Sequence, residues 1–401
     1  MQFKNIIGQP EVKEQLANMV QQNRLSHALL FLGKEGSGNL SLAMAFAQFI
    51  VCEKVNGKKA GDAGASLFDE QPTTNNQQPL TDSCGVCSAC TKAAKLIHPD
   101  IHFSYPVITK KSGEKPISSD FITEWREFVD QQPYGNAFDW LQFISAENKQ
   151  GNISAAECNE IIRKLNLKSF ESEYKILIMW MPEFLGKEGN KLLKLIEEPP
   201  ANTLFVLVAE NEGQILPTIL SRMQLVKIPA LTDIDIEKGL ESIQDIPKEK
   251  AKQIAAISEG NYREALQLLQ HADDDWNALL REWLNTILKT GPAAQVKWIE
   301  EISKQGREKQ KQFLRYFNHL LEKAIKLRTI DDRQLTTNDA ETDFALRLNK
   351  ICSLEQQDAI VTEIDKAAYH IERNANAKIL FHALSIRLYH IISNNSLILV
   401  N

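Results

Sequence analysis

Residues 33–41 read Gly-Lys-Glu-Gly-Ser-Gly-Asn-Leu-Ser, and this stretch decides the fold of the chain. An apolar run at 28–32 precedes it, and a helical pattern of apolar residues at 42–50 follows it. A strand, a glycine-rich turn and a helix in this order are the context in which the pattern G-x-x-x-x-G-K-[ST] indicates a phosphate-binding loop. The glycines that fit this frame are Gly33, Gly36 and Gly38.

The two residues that carry the chemistry of such a loop are replaced. Asn39 stands where a lysine would reach the β- and γ-phosphates, and Leu40 stands where a hydroxyl would hold magnesium. A neutral amide cannot neutralise phosphate charge, and leucine offers no oxygen to a hard cation. We therefore expect a degenerate phosphate loop, formed by the three glycines and Asn39, to which ATP does not bind productively.

The second half of an ATPase site is also missing. In a phosphate-loop ATPase a buried strand ends in carboxylates that hold magnesium and polarise the attacking water. Here the buried-type strand at 175–179 is followed by Trp180 and Met181, and Glu183 comes two residues too late to replace the acids. Because both halves are lost independently, the sequence predicts that this chain does not hydrolyse ATP.

Composition places the chain among ordinary soluble proteins. Its 401 residues are 24% charged and 43% hydrophobic, which allows two or three domains with proper cores. The net charge of −6 argues against a basic, electrostatic nucleic-acid binder. The start has no signal-like apolar core, and no apolar run approaches the ~20 residues that span a bilayer. We therefore expect a cytoplasmic protein with no membrane contact, and with reduced cysteines.

Four of the cysteines have metal-ligand spacing. Cys84, Cys87 and Cys90 form C-x-x-C-x-x-C, and Cys52 lies upstream at the end of the predicted helix. Four thiolates complete a closed tetrahedral zinc site, which is structural because no position remains for water. His98 is the alternative fourth ligand if Cys52 is out of reach. The competing interpretation, a set of reduced thiols without metal, leaves the regular spacing unexplained.

Five strands interleaved with helices predict a parallel α/β sheet. From residue 229 onward no strand pattern recurs, and long amphipathic helices dominate the end of the chain. An aromatic patch in the segment before the third strand is expected to be a local packing cluster and not a base-stacking platform. The strand segments are 28–32, 101–107, 175–179, 203–208 and 225–228, and the patch consists of Tyr134, Phe138, Trp140 and Phe143.

Several stretches together resemble the clamp-loader branch of the AAA+ superfamily. Residues 24–31, Arg-Leu-Ser-His-Ala-Leu-Leu-Phe, precede the phosphate loop, and the cysteine module follows its helix directly. Residues 192–200, Leu-Leu-Lys-Leu-Ile-Glu-Glu-Pro-Pro, and residues 220–222, Leu-Ser-Arg, add to the resemblance. The resemblance covers residues 1 to about 270 well and is weaker over the remaining tail. The long loop at 54–83 and an insertion at 108–151 depart from the family pattern.

The resemblance implies three domains. These are an AAA+ module at 1–230, with a zinc module at 52–98 and the insertion at 108–151, a small helical lid at 231–272 and a C-terminal helical collar at 273–401. It also implies a pentameric ring with other clamp-loader subunits of the gamma/tau and delta types. Through that complex, part of the DNA polymerase III holoenzyme, the chain would meet a sliding clamp and primed DNA during replication.

The resemblance further implies a role for one arginine. Arg222, with its neighbour Ser221, matches the Ser-Arg turn that offers an arginine finger to an adjacent ATPase subunit. Arginine suits a shared phosphate because it is always charged and has five donors. Arg263 lies where an active subunit keeps a lid arginine, and without nucleotide we expect it to be a plain surface or interdomain charge.

Two other functions compete with a non-hydrolysing subunit. One is an active AAA+ motor subunit that binds ATP through an atypical loop, which Asn39 and Leu40 weigh against. The other is a zinc-dependent DNA-binding module, which the overall acidity and the absence of a basic stripe near residues 84–90 weigh against.

Overall fold

A computed structural model of the chain describes residues 1–56, 81–109, 115–146, 151–243, 246–270, 276–329, 340–372 and 375–394. Most of the predicted loop at 54–83 therefore lies outside the described residues, as do residues 110–114 and 147–150 of the predicted insertion.

The described residues form five strands and seventeen α-helices. The strands are β1 Ala28–Gly33, β2 Ile101–Ser104, β3 Lys175–Trp180, β4 Thr203–Ala209 and β5 Gln224–Ile228. The helices are α1 Pro10–Gln21, α2 Asn39–Val51, α3 Ser88–Ala94, α4 Ile122–Gln131, α5 Ala137–Phe143, α6 Ala155–Leu165, α7 Leu193–Glu197, α8 Pro217–Leu220, α9 Asp233–Glu241, α10 Lys248–Ile257, α11 Tyr262–Gln270, α12 Trp276–Asn285, α13 Pro292–Lys304, α14 Arg307–Thr329, α15 Ala340–Ile351, α16 Leu354–Glu372 and α17 Ala377–Asn394.

The five strands form one parallel sheet in the order β2-β3-β4-β1-β5. β1 lies between β4 and β5, with Leu30 opposite Leu207 on one side and Leu225 on the other. Strands β3 and β4 are buried along their whole length, as expected for strands covered on both faces. The predicted fold class, a parallel α/β sheet module followed by helices alone, is confirmed. Because the strands run parallel, their carboxyl ends share one edge of the sheet.

One helix differs from its prediction. The pattern at 190–198 predicts a single helix, whereas the chain forms a 3₁₀ segment over Pro182–Leu192 and then the short α7. Gly186 interrupts the 3₁₀ segment with φ 50° and ψ −139°, a conformation that glycine adopts without strain. The prediction of where this helix stops is confirmed, since α7 ends at Glu197, just before Pro199 and Pro200.

The chain divides into two compact units, Met1–Leu266 and Gln267–Asn401. The first contains the sheet and helices α1 to α10, and the boundary falls within α11. The predicted division into three domains stays a prediction. Two cores in the first unit lie on opposite faces of the sheet: Phe31 and Val206 belong to one, and Leu30 and Leu207 to the other.

The second unit is helical throughout its described residues and has an aromatic core. Trp283 and Trp298 stack with ring centroids 5.1 Å apart, and Phe313 and Phe381 pack against both. The indole of Trp283 donates a hydrogen bond to Ser385 Oγ at 2.9 Å, so the polar atom of this buried ring is satisfied. This unit therefore has a hydrophobic core of its own.

Across the described part of the chain, no helix combines the length and the apolar character needed to cross a membrane.

Candidate functional site

The phosphate loop lies at the carboxyl edge of the sheet, between the end of β1 and the start of α2. Gly38 has φ 84° at the N-cap of α2, and Asn39 is the first residue of the helix. The Asn39 amide donates hydrogen bonds to Gly33 O at 3.2 Å and to Ala209 O at 3.3 Å, while its carbonyl oxygen accepts from Leu40 N at 2.8 Å. The residue that replaces the lysine thus joins the ends of β1 and β4 and points its polar atoms at the backbone.

At Leu40 and at the end of β3, buried apolar side chains likewise stand where an ATPase has polar groups. Leu40 is buried, and so are Trp180 and Met181 at the positions where an ATPase carries acids. Trp180 lies 5.2 Å from Trp125 and 6.0 Å from Phe128, measured between ring centroids. The end of β3 therefore supports an aromatic core, and its side chains offer no oxygen to magnesium.

The predicted aromatic patch is largely part of that core. Trp140 is completely buried, packs edge-on against Trp125 at 5.3 Å, and donates its indole hydrogen to Pro106 O. Phe143 packs on Phe128 at 5.8 Å, whereas Phe138 is 38% exposed. The expectation of a packing cluster is thus confirmed for Trp140 and Phe143.

Tyr134 has a different position from the rest of the patch. Its ring packs edge-on against Tyr262 at 4.8 Å, and its hydroxyl accepts a hydrogen bond from Ile7 N at 3.0 Å. It lies beside the phosphate loop, because a Cβ built on Gly38 would be 2.9 Å from Tyr134 Cε1.

The expectation that Arg263 is a plain surface charge is wrong, whereas the alternative, a charge between the predicted lid and the predicted module at 1–230, fits its contacts with Glu35 and Asp139. Arg263 is only 4% exposed, and its guanidinium binds Asp139 through Nε and Nη2. Its Nη1 donates to Glu35 Oε1 at 3.0 Å, and Glu35 belongs to the phosphate loop. A buried guanidinium needs paired carboxylates, and Arg263 has two of them.

Two further carboxylates lie at this edge. Glu183 Oε1 accepts from Glu210 N at 2.7 Å and Asn211 N at 2.9 Å, so the displaced acid caps the end of β4. Burial raises the pKa of Glu183 above its ordinary value. Burial also raises the pKa of Glu210 to about 8, and the nearby Glu35 and Glu183 carboxylates add to the effect. The edge where an ATPase gathers phosphate and metal is therefore rich in carboxylates here.

The four predicted cysteine ligands lie together. The sulfur atoms of Cys52, Cys84, Cys87 and Cys90 are all within 4.8 Å of one another, and those of Cys84 and Cys90 are 3.9 Å apart. Four thiolates about 2.3 Å from a tetrahedral zinc ion would be about 3.8 Å apart. The donor set and its spacing therefore fit zinc.

Backbone N–H groups turn toward these sulfurs. Cys84 N donates to Cys52 Sγ at 3.3 Å, Cys87 N to Cys84 Sγ at 3.4 Å, and Cys90 N to Cys87 Sγ at 3.4 Å. Such donors favour the thiolate form that a metal binds. The hydrogen bond from the Cys90 thiol, joined by that from Cys84 N, lowers the pKa of Cys52, and the same pairing raises the pKa of Cys90.

His98 uses its ring elsewhere. Its Nδ1 accepts from Asp100 N at 3.2 Å, and its Nε2 lies 3.3 Å from Glu171 Oε1. Among the described residues, the group that could hold a metal consists of the four cysteines without His98. The geometry thus favours Cys52 over His98 as the fourth ligand.

Arg222 follows α8 and precedes β5, with a side chain 32% exposed. Its Nε and Nη2 bind Glu197 Oε1, and its Nη1 donates to Thr218 O at 2.6 Å and to Ser221 Oγ at 3.1 Å. The guanidinium is therefore held at the surface by groups of its own chain, including the neighbouring Ser221.

Sequence reasoning missed the ion cluster of Glu35, Asp139 and Arg263. None of the three stands in a recognisable motif with the others, and the pairs are separated by 124 and 228 residues along the chain. The one available signal is Asp139 itself, an acid three residues after the helix-capping Asn136 within an aromatic segment.

Comparison with known proteins places the chain in a family. The chain matches the family described as "DNA polymerase III, delta subunit" over residues 8–66 and 60–232, more than half of its length. It is 27% identical over 260 residues to the DNA polymerase III subunit delta' of Bacillus subtilis (strain 168), covering 65% of this chain and 59% of that protein.

Two further relatives are also subunits of DNA polymerase III. The chain is 24% identical over 313 residues to the DNA polymerase III subunit tau of Bacillus subtilis (strain 168), covering 77% of this chain and 44% of that protein. It is 26% identical over 271 residues to the DNA polymerase III subunit delta' of Pseudomonas aeruginosa (strain PAO1), covering 67% of this chain and 63% of that protein. The matches thus span less than two thirds of the length of each relative.

Proposed function

The chain belongs to the family described as "DNA polymerase III, delta subunit", and on that premise we propose that it is a clamp-loader subunit of the delta-prime type. In this role it does not hydrolyse ATP itself. It scaffolds a hetero-pentameric ring and supplies an arginine finger to a neighbouring ATPase subunit. The ring loads a sliding clamp onto primed DNA during replication in the cytoplasm.

One observation carries the non-hydrolysing part of this proposal: the side chain at the lysine position is a neutral amide whose hydrogen bonds are spent on the backbone. Asn39 binds Gly33 O and Ala209 O, so it is not directed toward a phosphate. With Trp180 packed among aromatic rings, neither of the two groups that bind and activate ATP is available.

The trans-acting part rests on Arg222. Its guanidinium is at the surface in the Ser-Arg turn, and its partner Glu197 is also exposed, with a side chain 44% accessible. Exposed ion pairs contribute little stability, so a phosphate on a neighbouring subunit can replace the Glu197 carboxylate at low cost. Ser221 supports the turn through the hydrogen bond from Arg222 Nη1.

The four cysteines supply a structural zinc site in this proposal. All four positions of a tetrahedron are taken by protein sulfur, so the ion has no open position for water and stabilises the fold around residues 52–98. The zinc module is therefore not assigned a catalytic role.

The partners follow from the relatives, two of which are delta' subunits and one a tau subunit of DNA polymerase III. We assign as partners the ATPase subunits of gamma/tau type and a subunit of delta type. Mixing the purified full chain with these subunits and measuring the masses of intact complexes tests the assignment. We expect one hetero-oligomer that contains this chain and that hydrolyses ATP, whereas the chain alone does not.

Two results would contradict the proposal. If no complex forms with either kind of subunit, the ring role is wrong. If the chain alone hydrolyses ATP in a magnesium-dependent way, it is the active motor subunit with an atypical loop.

A further inference from the structure

The phosphate loop is covered by other parts of the same chain. Tyr262 N donates a hydrogen bond to Gly36 O at 3.2 Å, and a Cβ built on Gly36 would be 1.9 Å from Asn261 Oδ1. On the other side, a Cβ on Gly38 would be 2.9 Å from the ring of Tyr134. Both glycines have positive φ, and both are needed because a side chain would meet this cover.

The residues that cover the loop include charged and amide side chains that bind Glu35. Glu35 accepts from Asn136 Nδ2 at 3.0 Å, from Asn261 Nδ2 at 3.1 Å and from Arg263 Nη1 at 3.0 Å. Arg263 also holds Asp139, whose other contact is the reciprocal cap with Asn136 N at 3.0 Å. The side-chain donors of Asn136, Asn261 and Arg263 beside the loop are therefore bound to carboxylates of the chain.

These contacts join three separate segments. Glu35 comes from the loop between β1 and α2, Asn136 and Asp139 from the start of α5, and Asn261 and Arg263 from the start of α11. α11 is the last of the helices α9 to α11, which follow the sheet in sequence. The carboxylates of Glu35 and Asp139 are thus paired with Arg263 beside the phosphate loop, whose helix N-terminus is where a phosphate-loop protein binds its anion.

We propose that Tyr134, Asn136, Asp139, Asn261, Tyr262 and Arg263 form a built-in plug, which occupies the nucleotide position and locks helices α9 to α11 against the sheet without nucleotide. An incoming triphosphate would meet the Tyr134 and Asn261 side chains and two carboxylates already paired with Arg263. The loss of ATP binding is then maintained by the plug as well as by Asn39 and Leu40. This inference concerns the conformation of this unit and does not depend on the proposed ring.

Hydrogen exchange of the full chain tests whether the plug holds helices α9 to α11 against the sheet. Asp139→Asn removes the charge that pairs with Arg263 and keeps the shape of the side chain, and Arg263→Ala removes the guanidinium. Breaking a buried ion pair is strongly destabilising, so amides of residues 233–266 should exchange faster, on the order of a hundredfold, while those of β4 change little. ATP added to the unmodified chain should leave the exchange of these helices unchanged.

Asp130→Asn is the matched control, because Asp130 is an exposed acid in the preceding helix α4. If Arg263→Ala does not fold, Asp139→Asn alone decides the outcome. Unchanged exchange of residues 233–266 in folded Asp139→Asn would overturn the lock. So would slower exchange of these residues in the unmodified chain when ATP is added.

Nucleotide titration tests whether the plug occupies the nucleotide position. Asn39→Lys with Leu40→Thr restores the two missing loop residues, and we expect no magnesium-ATP binding because the plug remains. Adding Tyr134→Ala and Asp139→Ala to that variant should produce magnesium-dependent binding. Two results would contradict the proposal that the plug prevents nucleotide binding. One is binding by the variant with Asn39→Lys and Leu40→Thr alone, and the other is a folded variant with all four substitutions that still binds no nucleotide.

Discussion

Glu210 shows how the rebuilt edge of the sheet responds to pH. Its carboxyl is at the end of β4, where burial and the Glu35 and Glu183 carboxylates raise its pKa to about 8. In the unfolded chain the same carboxyl has its ordinary pKa of 4.5. Between these two values the folded chain binds a proton that the unfolded chain has released.

The contribution of Glu210 to stability should therefore fall as pH rises through this window. That contribution to the free energy of unfolding decreases from about pH 4.5 to about pH 8 and then levels off, because above that the carboxyl is ionised in both states. Glu210→Gln removes this contribution, so the variant should be more stable than the unmodified chain at about pH 8.5 and similar to it at about pH 5. Urea unfolding at both pH values measures the difference.

Glu212→Gln is the control for that experiment, because Glu212 is exposed and only two residues away. It changes the net charge by the same amount without touching the buried edge. An equal effect of the two substitutions at the higher pH would show that the Glu210 environment is not responsible.

The zinc module is the element that depends most on its ligands. α3 begins directly after Cys87, whose sulfur accepts the Cys90 N hydrogen bond at the helix start. Residues 81–87 and α3 together contain three of the four cysteines, so the metal would connect them to Cys52 at the end of α2. Metal-binding free energy is folding free energy in such a segment.

Cys87→Ser should abolish zinc binding, since three thiolates leave the tetrahedron incomplete and serine is a poor zinc ligand at neutral pH. Elemental analysis should find one zinc ion per unmodified chain and none in the variant, and proteolysis should become faster near residues 81–98. Cys158→Ser is the control, because Cys158 is buried in the same unit but outside the cluster. Absence of zinc from the unmodified chain would refute the site.

The elements that a short stretch of sequence specifies by itself could be predicted. The five strands follow from apolar runs bounded by turn residues, and the cysteine cluster follows from its spacing. The helix predicted at 190–198 begins only at Leu193, because residues 190–192 belong to the preceding 3₁₀ segment, which apolar periodicity does not distinguish from an α-helix.

At the scale of the whole molecule, the site combines residues that no local pattern connects. Asn136 meets Glu35 across 101 residues, and Arg263 meets it across 228. Sequence reasoning predicted a phosphate loop without its lysine, but it could not predict which residues from distant segments lie against that loop. It therefore described Arg263 as a plain surface or interdomain charge, whereas tertiary packing buries it between two acids.

The residues that carry the proposed function all lie in the first of the two units. The first carries the glycine-rich loop at 33–41, the cysteine cluster and Arg222, while the second is a helical unit with its own aromatic core. Arg222→Ala should therefore leave folding, zinc content and assembly intact. Its side chain makes surface contacts, an ion pair with Glu197 and hydrogen bonds to Thr218 O and Ser221 Oγ, and such exposed interactions are worth little stability.

Steady-state ATP hydrolysis by the reconstituted loader tests the central claim most directly. With Arg222→Ala, the ATPase site next to this subunit should lose on the order of 10³-fold in rate, and Arg222→Lys should recover only part of it because an ammonium lacks the forked donors. Arg163→Ala, which removes an exposed arginine paired with Glu160, should change nothing. A loader that assembles with Arg222→Ala and hydrolyses ATP at the unmodified rate in the presence of the clamp would contradict the account.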